Sequence, residues 1–136
     1  MTVTIPDSHA DLVDGPVYVT LTTVMPDGQP QSSVVWWDRE GEYIRVNTAR
    51  GRQKEKNMNR NAKVTILALD PKDPYRWLEV RGTIEEITED GGVEHIELLS
   101  QKYRGRGYYI GEEGEKRRQQ ETRVKVLIRP TRVITH

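Results

Sequence analysis

No cysteine occurs in the 136 residues, which excludes disulfide staples, thiolate metal sites and cysteine nucleophiles together. Phenylalanine is also absent and aromatic residues make up only 7% of the chain, so any core must be mainly aliphatic. Net charge is missing as well: 21 Lys and Arg balance 21 Asp and Glu. Without a global field to draw the chain onto nucleic acid or anionic lipid, charge effects must be local. No apolar run approaches the roughly 18 residues of a bilayer span, and the start Met1-Thr2-Val3-Thr4-Ile5-Pro6-Asp7 lacks the layout of a signal peptide. A cytoplasmic protein with no membrane and no nucleic-acid partner is expected. His9, His95 and His136 have no metal-ligand spacing and suggest no triad, and Gly105-Arg106-Gly107 falls short of a dinucleotide fingerprint. No metal is expected, and any redox or transfer chemistry must come from a bound cofactor.

What is present favours sheet. Val and Ile number 14 and 9 against 8 Leu, with 12 Thr, a β-branched excess that packs well on a pleated surface. The length suits one domain, residues 1–136. Only 35% of residues are hydrophobic while 31% are charged, a lean core of the kind that shares burial with a second subunit.

Residues 6–14 read as a short capped helix stopped at Gly15-Pro16, covering one end of a barrel. Alternating apolar residues predict a strand from Val17 to Val24, and the turn Pro26-Asp27-Gly28 leads into a second from Gln31 to Asp38. A third follows over Glu42 to Thr48, then a short helix over Arg52 to Asn59, then strands over Lys63 to Leu69 and Tyr75 to Thr88, the latter bent at Gly82. Val93, Ile96, Leu99 and Tyr103 recur at helical spacing, and Arg123 to Thr135 alternates again as the last strand. Between them the chain loosens near Arg104 to Gly111, and residues 104–120 carry no recognisable motif.

Arg50 to Lys63 holds six basic residues against one Glu, a local charge of +5. Between Arg52 and Asn59 only Met58 is apolar, so something other than the core must satisfy that helix. One answer is an anion held by the helix start with Arg52 and Lys54; the other is a solvated basic face offset by the acids of Glu85 to Glu97. Trp36 and Trp37 are adjacent in a strand and point to opposite faces. One of them therefore needs a second burial site, in a ligand pocket, a dimer interface or both. Trp77 shares its strand face with Tyr75, Glu79 and Arg81, away from Leu78 and Val80, which suits a planar ligand or a partner surface.

The element order, with Gly28-Gln29-Pro30-Gln31-Ser32-Ser33, Val46-Asn47-Thr48-Ala49-Arg50-Gly51-Arg52-Gln53-Lys54-Glu55-Lys56-Asn57, Pro74 to Thr83 and Arg129-Pro130-Thr131-Arg132-Val133, resembles the split β-barrel flavin and deazaflavin oxidoreductases. That superfamily includes the pyridoxamine 5'-phosphate oxidases, and the Arg-x-Lys step at Arg52 and Lys54 is most similar to its coenzyme F420-dependent subgroup. The resemblance implies a mostly β fold with short helices, a split β-barrel (FMN-binding-like), and a homodimer with two equivalent sites between subunits. It also implies a coenzyme F420-dependent oxidoreductase that passes a hydride from reduced deazaflavin to an electron-poor small-molecule substrate. Arg52 and Lys54 would hold the cofactor phosphate, with Lys56 and Asn57 behind them. Gln31, Ser33 and Val34 match the strand along the deazaflavin ring, and Asn47 and Thr48 the strand end that approaches the ring or its ribityl chain. Tyr75, Arg76 and Trp77 fall where the family places residues of the neighbouring subunit. An FMN-binding pyridoxamine 5'-phosphate oxidase-like protein is the alternative, and a non-catalytic barrel holding a cofactor or haem is a third reading. No catalytic residue is assigned; Tyr108, Tyr109 or a water could supply a proton.

Overall fold

The β-branched segments build seven strands, which join a single antiparallel sheet in the order β2-β1-β5-β6-β7-β4-β3. The structure is a computed structural model and describes residues 3–136. Its strands are β1 (Val19–Val24), β2 (Pro30–Val35), β3 (Trp37–Glu40), β4 (Tyr43–Ala49), β5 (Lys63–Asp70), β6 (Asp73–Thr88) and β7 (Arg123–Thr135). Four helices interrupt them: α1 (Asp11–Asp14), α2 (Gln53–Arg60), α3 (Gly92–Arg104) and α4 (Gly111–Gln120). The sheet curls on itself as a split β-barrel, the expected mostly β fold with short helices.

Curvature has a local cause. β6 pairs with both β5 and β7, and its register against β7 shifts at Arg81/Gly82 and again between Ile84 and Glu86, as bulges do where a strand must bend. At Gly82 a Cβ would lie 2.5 Å from Ile128 Cγ2 and 3.0 Å from the Arg129 carbonyl, so glycine there allows the neighbouring strand to close in. The concave face buries Leu21, Ile66, Leu78, Val80, Val126 and Ile128, with Leu12 and Val13 of α1 in the same cluster.

Three expectations need correction. The single strand predicted over Gln31 to Asp38 is two, because the chain leaves β2 at Val35, passes Trp36 outside any strand, and enters β3 at Trp37 to pair with β4 instead of β1. The capped helix over residues 6–14 is a 3₁₀ turn followed by α1, without a side-chain cap at either start. Residues 111–120 form a helix that the sequence pattern hides: Gly-Glu-Glu-Gly-Glu-Lys-Arg-Arg-Gln-Gln has no apolar residue, and only Gly114 is buried, closely packed on the Tyr109 backbone. No helix among the described residues is long and apolar enough to cross a membrane.

Candidate functional site

The site forms where β4 runs out into the basic stretch. Gly51 takes a left-handed φ of +90°, and the one acid of the stretch, Glu55, turns back to accept the Gly51 N–H at 2.8 Å. Its other oxygen accepts from Arg50 and Asn59. Glu55 is therefore spent on fixing the turn and does not neutralise Arg52 or Lys54. Asn57 and Met58 form the inner face of α2: Asn57 Nδ2 donates to Thr23 Oγ1 at 3.0 Å and its Oδ1 accepts from Gln53 at 2.8 Å. Lys56 lies exposed on another side of the helix. Arg52 and Lys54 are thus turned into a cleft, whereas Lys56 and Asn57 are outside it.

This cleft has a volume of about 250 Å³. Val34, Trp36 and Tyr18 give it an apolar wall, Ile96 and Leu99 of α3 lie beneath, and Arg52, Lys54 and Arg123 bring three cations to it. The adjacent tryptophans part as expected: Trp37 is fully buried in the core, while Trp36 lines the cleft and stacks on Tyr103 with ring centroids 5.1 Å apart.

Arg123 defines the electrostatics. It is 5% exposed, yet neither Nε nor Nη1 has a hydrogen-bond partner; the Glu121 carboxylate stands 3.6 Å from Nε, beyond hydrogen-bonding reach. Its guanidinium lies 4.8 Å over the Tyr108 ring, a cation–π contact that partly offsets desolvation. Glu121 itself is shared with Arg52 at 3.3 Å and with the Tyr109 hydroxyl, which donates at 2.5 Å. Burial and that carboxylate push the Tyr109 pKa up to about 12. Burial, followed by the positive charge of Arg52 and Arg123, holds the Lys54 ammonium below the usual lysine range. Three cations line the cleft and only two of them, Arg52 and Arg123, stand near the Glu121 carboxylate; with two buried guanidinium nitrogens unpaired, the site is short of an anion.

A second polar group borders the cleft. Asn47 lines it and is 9% exposed; its Nδ2 is 2.9 Å from the Gly92 carbonyl and 3.2 Å from His95 Nδ1. His95 Nε2 is 3.0 Å from Asp38 Oδ1, and Arg45 grips the same carboxylate with two bonds of 2.9 and 2.7 Å. Burial raises the Asp38 pKa, but hydrogen bonds from His95 and Arg45 outweigh it and hold the carboxyl below the usual range.

Residues 5–136 match the family of pyridoxamine 5'-phosphate oxidase. The chain belongs to that family. A solved structure named F420 reductase is 33% identical, with 96% of this chain and 98% of that one aligned at a TM-score of 0.81. A conserved hypothetical protein from Mycobacterium tuberculosis is 25% identical over 98% of this chain and 85% of its own, at a TM-score of 0.76. HupZ from Group A Streptococcus, 20% identical over 98% of this chain and all of its own at a TM-score of 0.69, shares the fold. No curated protein matches the chain.

For this member of the family, four of the residues expected at a cofactor, Val34, Asn47, Arg52 and Lys54, line one cleft. Gln31 and Ser33 sit on β2 outside the lining: Gln31 Oε1 accepts from Thr23 at 3.0 Å, and Ser33 Oγ is buried without a partner. Thr48 is fully buried next to Asn47, its Oγ1 also unpartnered. Tyr75, Arg76 and Trp77 do not line the cleft of a single chain: Tyr75 is 79% exposed, Arg76 pairs with Asp11 and Asp70, and Trp77 stacks on His136. Arg123 and His95 are the residues that sequence reasoning missed. Arg123 reads as the first residue of an alternating strand, and His95 as one position of an acidic helix. Neither pattern reveals that α3 covers that face of β7, an approach so close that a Cβ on Gly92 would stand 2.3 Å from the Arg123 carbonyl.

Proposed function

We propose that the protein is a coenzyme F420-dependent oxidoreductase acting as a cytoplasmic homodimer. The buried, unpaired Arg123 guanidinium beside Arg52 and Lys54 carries this reading, because a phosphate supplies the acceptors those donors lack. Arg52, Lys54 and Arg123 would hold the phosphate of a flavin-type cofactor, and Val34 and Trp36 would flank its ring. When bound, a deazaflavin supplies two-electron hydride chemistry. The chain's part is to orient the substrate over the ring and to keep water out with its apolar wall. Tyr109, whose hydroxyl donates to Glu121, has its proton already committed, and no residue is assigned as the acid. The likeness at 33% identity to a structure named F420 reductase favours the deazaflavin over FMN, as does the cationic surplus, which suits the acidic tail of coenzyme F420.

A cleft of about 250 Å³ is smaller than the roughly 300–1,000 Å³ typical of small-molecule sites. A second subunit bringing Tyr75, Arg76 and Trp77 would complete it, which is why the site is assigned to a dimer. The test is a pair of fluorescence titrations of apo-protein with coenzyme F420 and with FMN, at low and moderate salt. Tighter binding of the deazaflavin is expected, weakening with salt. Preference for FMN would move the protein to the flavin branch of its family, and binding of neither would overturn the assignment.

A further inference from the structure

Glu121 sits at the joint where α4 ends and β7 begins, in extended backbone directly after the last helical residue. An acid at a helix C-terminus opposes the macrodipole, so α4 gains nothing from it. Its carboxylate turns to two cations of the cleft instead: Oε2 stands 3.3 Å from Arg52 Nη2 and Oε1 3.6 Å from Arg123 Nε. Neither contact is strong. The Arg52 side chain is 45% exposed, which leaves that pair screened by water, and Arg123 Nε has no hydrogen bond. The one short bond Glu121 accepts comes from the Tyr109 hydroxyl, at 2.5 Å. Tyr109 in turn is the seat of α4, because Gly114, the buried residue of that helix, packs on the Tyr109 backbone so closely that a Cβ would lie 2.6 Å from its carbonyl carbon. A single carboxylate thus joins two cations of the cleft to the anchor of a helix that has no apolar face.

We propose that Glu121 is an internal competitor for the anion site, displaced when a phosphate binds and loosening α4 as it leaves. The proposal rests on the anion site proposed above. A phosphate dianion offers more acceptors and more charge than a carboxylate, so Arg52 and Arg123 pair with it in preference. Two anions sharing the same guanidinium groups repel each other, and the weakly held carboxylate turns away. Tyr109 then loses its acceptor. What still ties the segment down is the bond from Arg117 to the Tyr108 carbonyl and those from the Tyr108 and Tyr109 amides to Glu97. Tyr109 does not line the cleft, so its release loosens α4 and adds no acid to the site.

Calorimetric titration with inorganic phosphate and amide hydrogen exchange with and without saturating phosphate test this. The wild type is compared with Glu121→Gln, Glu121→Ala and Tyr109→Phe, each checked for folding by its melting curve. Removing the carboxylate charge is expected to tighten phosphate binding about tenfold at low salt, a gain that shrinks as salt screens the repulsion. In the wild type, phosphate is expected to slow exchange across β4 and β7 while speeding it about tenfold at the amides of residues 114–120, near the worth of one charge-assisted hydrogen bond. Tyr109→Phe exchanges fast there without phosphate and does not respond to it. Binding that neither neutral variant tightens makes Glu121 a support of the cations, and exchange in α4 that phosphate leaves unchanged or slows breaks the link to the helix. Either result overturns the proposal and leaves the anion site standing. The exchange measurement on the wild type needs no variant, so it decides even where a substitution prevents folding. Failure of the wild type and of both neutral variants to bind phosphate overturns the anion site itself.

Discussion

Replacing Arg123 by Leu separates binding from folding. In the apo-protein Arg123 is 5% exposed, has two guanidinium nitrogens without partners, and lines the cleft with Arg52 and Lys54. Its burial costs several kcal/mol in desolvation, offset in part by the Tyr108 cation–π contact, about 2 kcal/mol when desolvated. An aliphatic side chain removes that cost and retains buried apolar surface, so Arg123→Leu is expected to leave apo stability unchanged or raise it by about 1 kcal/mol. For a domain of this size that is roughly 4 °C in Tm. The same change removes charged donors from the phosphate, and two such hydrogen bonds with a net worth of about 3 kcal/mol correspond to a loss of roughly 150-fold in affinity. Thermal unfolding of the apo-protein and a cofactor titration measure the two quantities on one sample. A fall in Tm of about 10 °C with unchanged affinity would refute the reasoning and make Arg123 a structural residue of β7.

Other perturbations follow from the same geometry. Lys54→Met is expected to weaken deazaflavin binding by about 30-fold, a loss near 2 kcal/mol, without unfolding the protein. Because its folded pKa lies below the ordinary lysine value, the charged Lys54 ammonium opposes folding; this penalty fades as pH rises through the lowered pKa, so the stability gap between Lys54→Met and wild type narrows in alkali. Asp38 has the opposite sign: its carboxyl is depressed, so the stability it contributes is present above the unfolded pKa near 3.9 and is lost as pH falls through the lower folded value. Asp38→Asn should therefore be least stable relative to wild type near neutrality, with the difference shrinking in acid denaturation series below about pH 4. Trp77→Ala is expected to reduce cofactor or substrate affinity more than Tm if a second subunit presents it to the site; a large loss of Tm with normal binding would confine Trp77 to its stacking on His136.

The strands were legible because β-branched alternation is a local property. β5, β6 and β7 lie close to where the pattern of Lys63 to Thr135 puts them, and Trp36 and Trp37 part as expected, although Trp36 lies at the break between β2 and β3 and not within a strand. The break between β2 and β3 was not legible, since leaving one neighbour strand for another depends on long-range pairing. The helix α4 was invisible for want of any apolar residue to mark a period. Arg52 and Lys54 announced themselves as excess charge on a helix with little to bury. Arg123 and His95 did not, because their burial comes from α3 crossing β7 and β4, and a single basic residue in a strand or a single histidine on a helix carries no signal of what will cover it.

A crystal structure of the protein with coenzyme F420 bound tests the central claim most directly. The account predicts the phosphate within hydrogen-bonding distance of Arg123 Nε or Nη1 and of Lys54, beside Trp36. A phosphate bound elsewhere on the barrel, with the Arg123 guanidinium still unpaired, would contradict it.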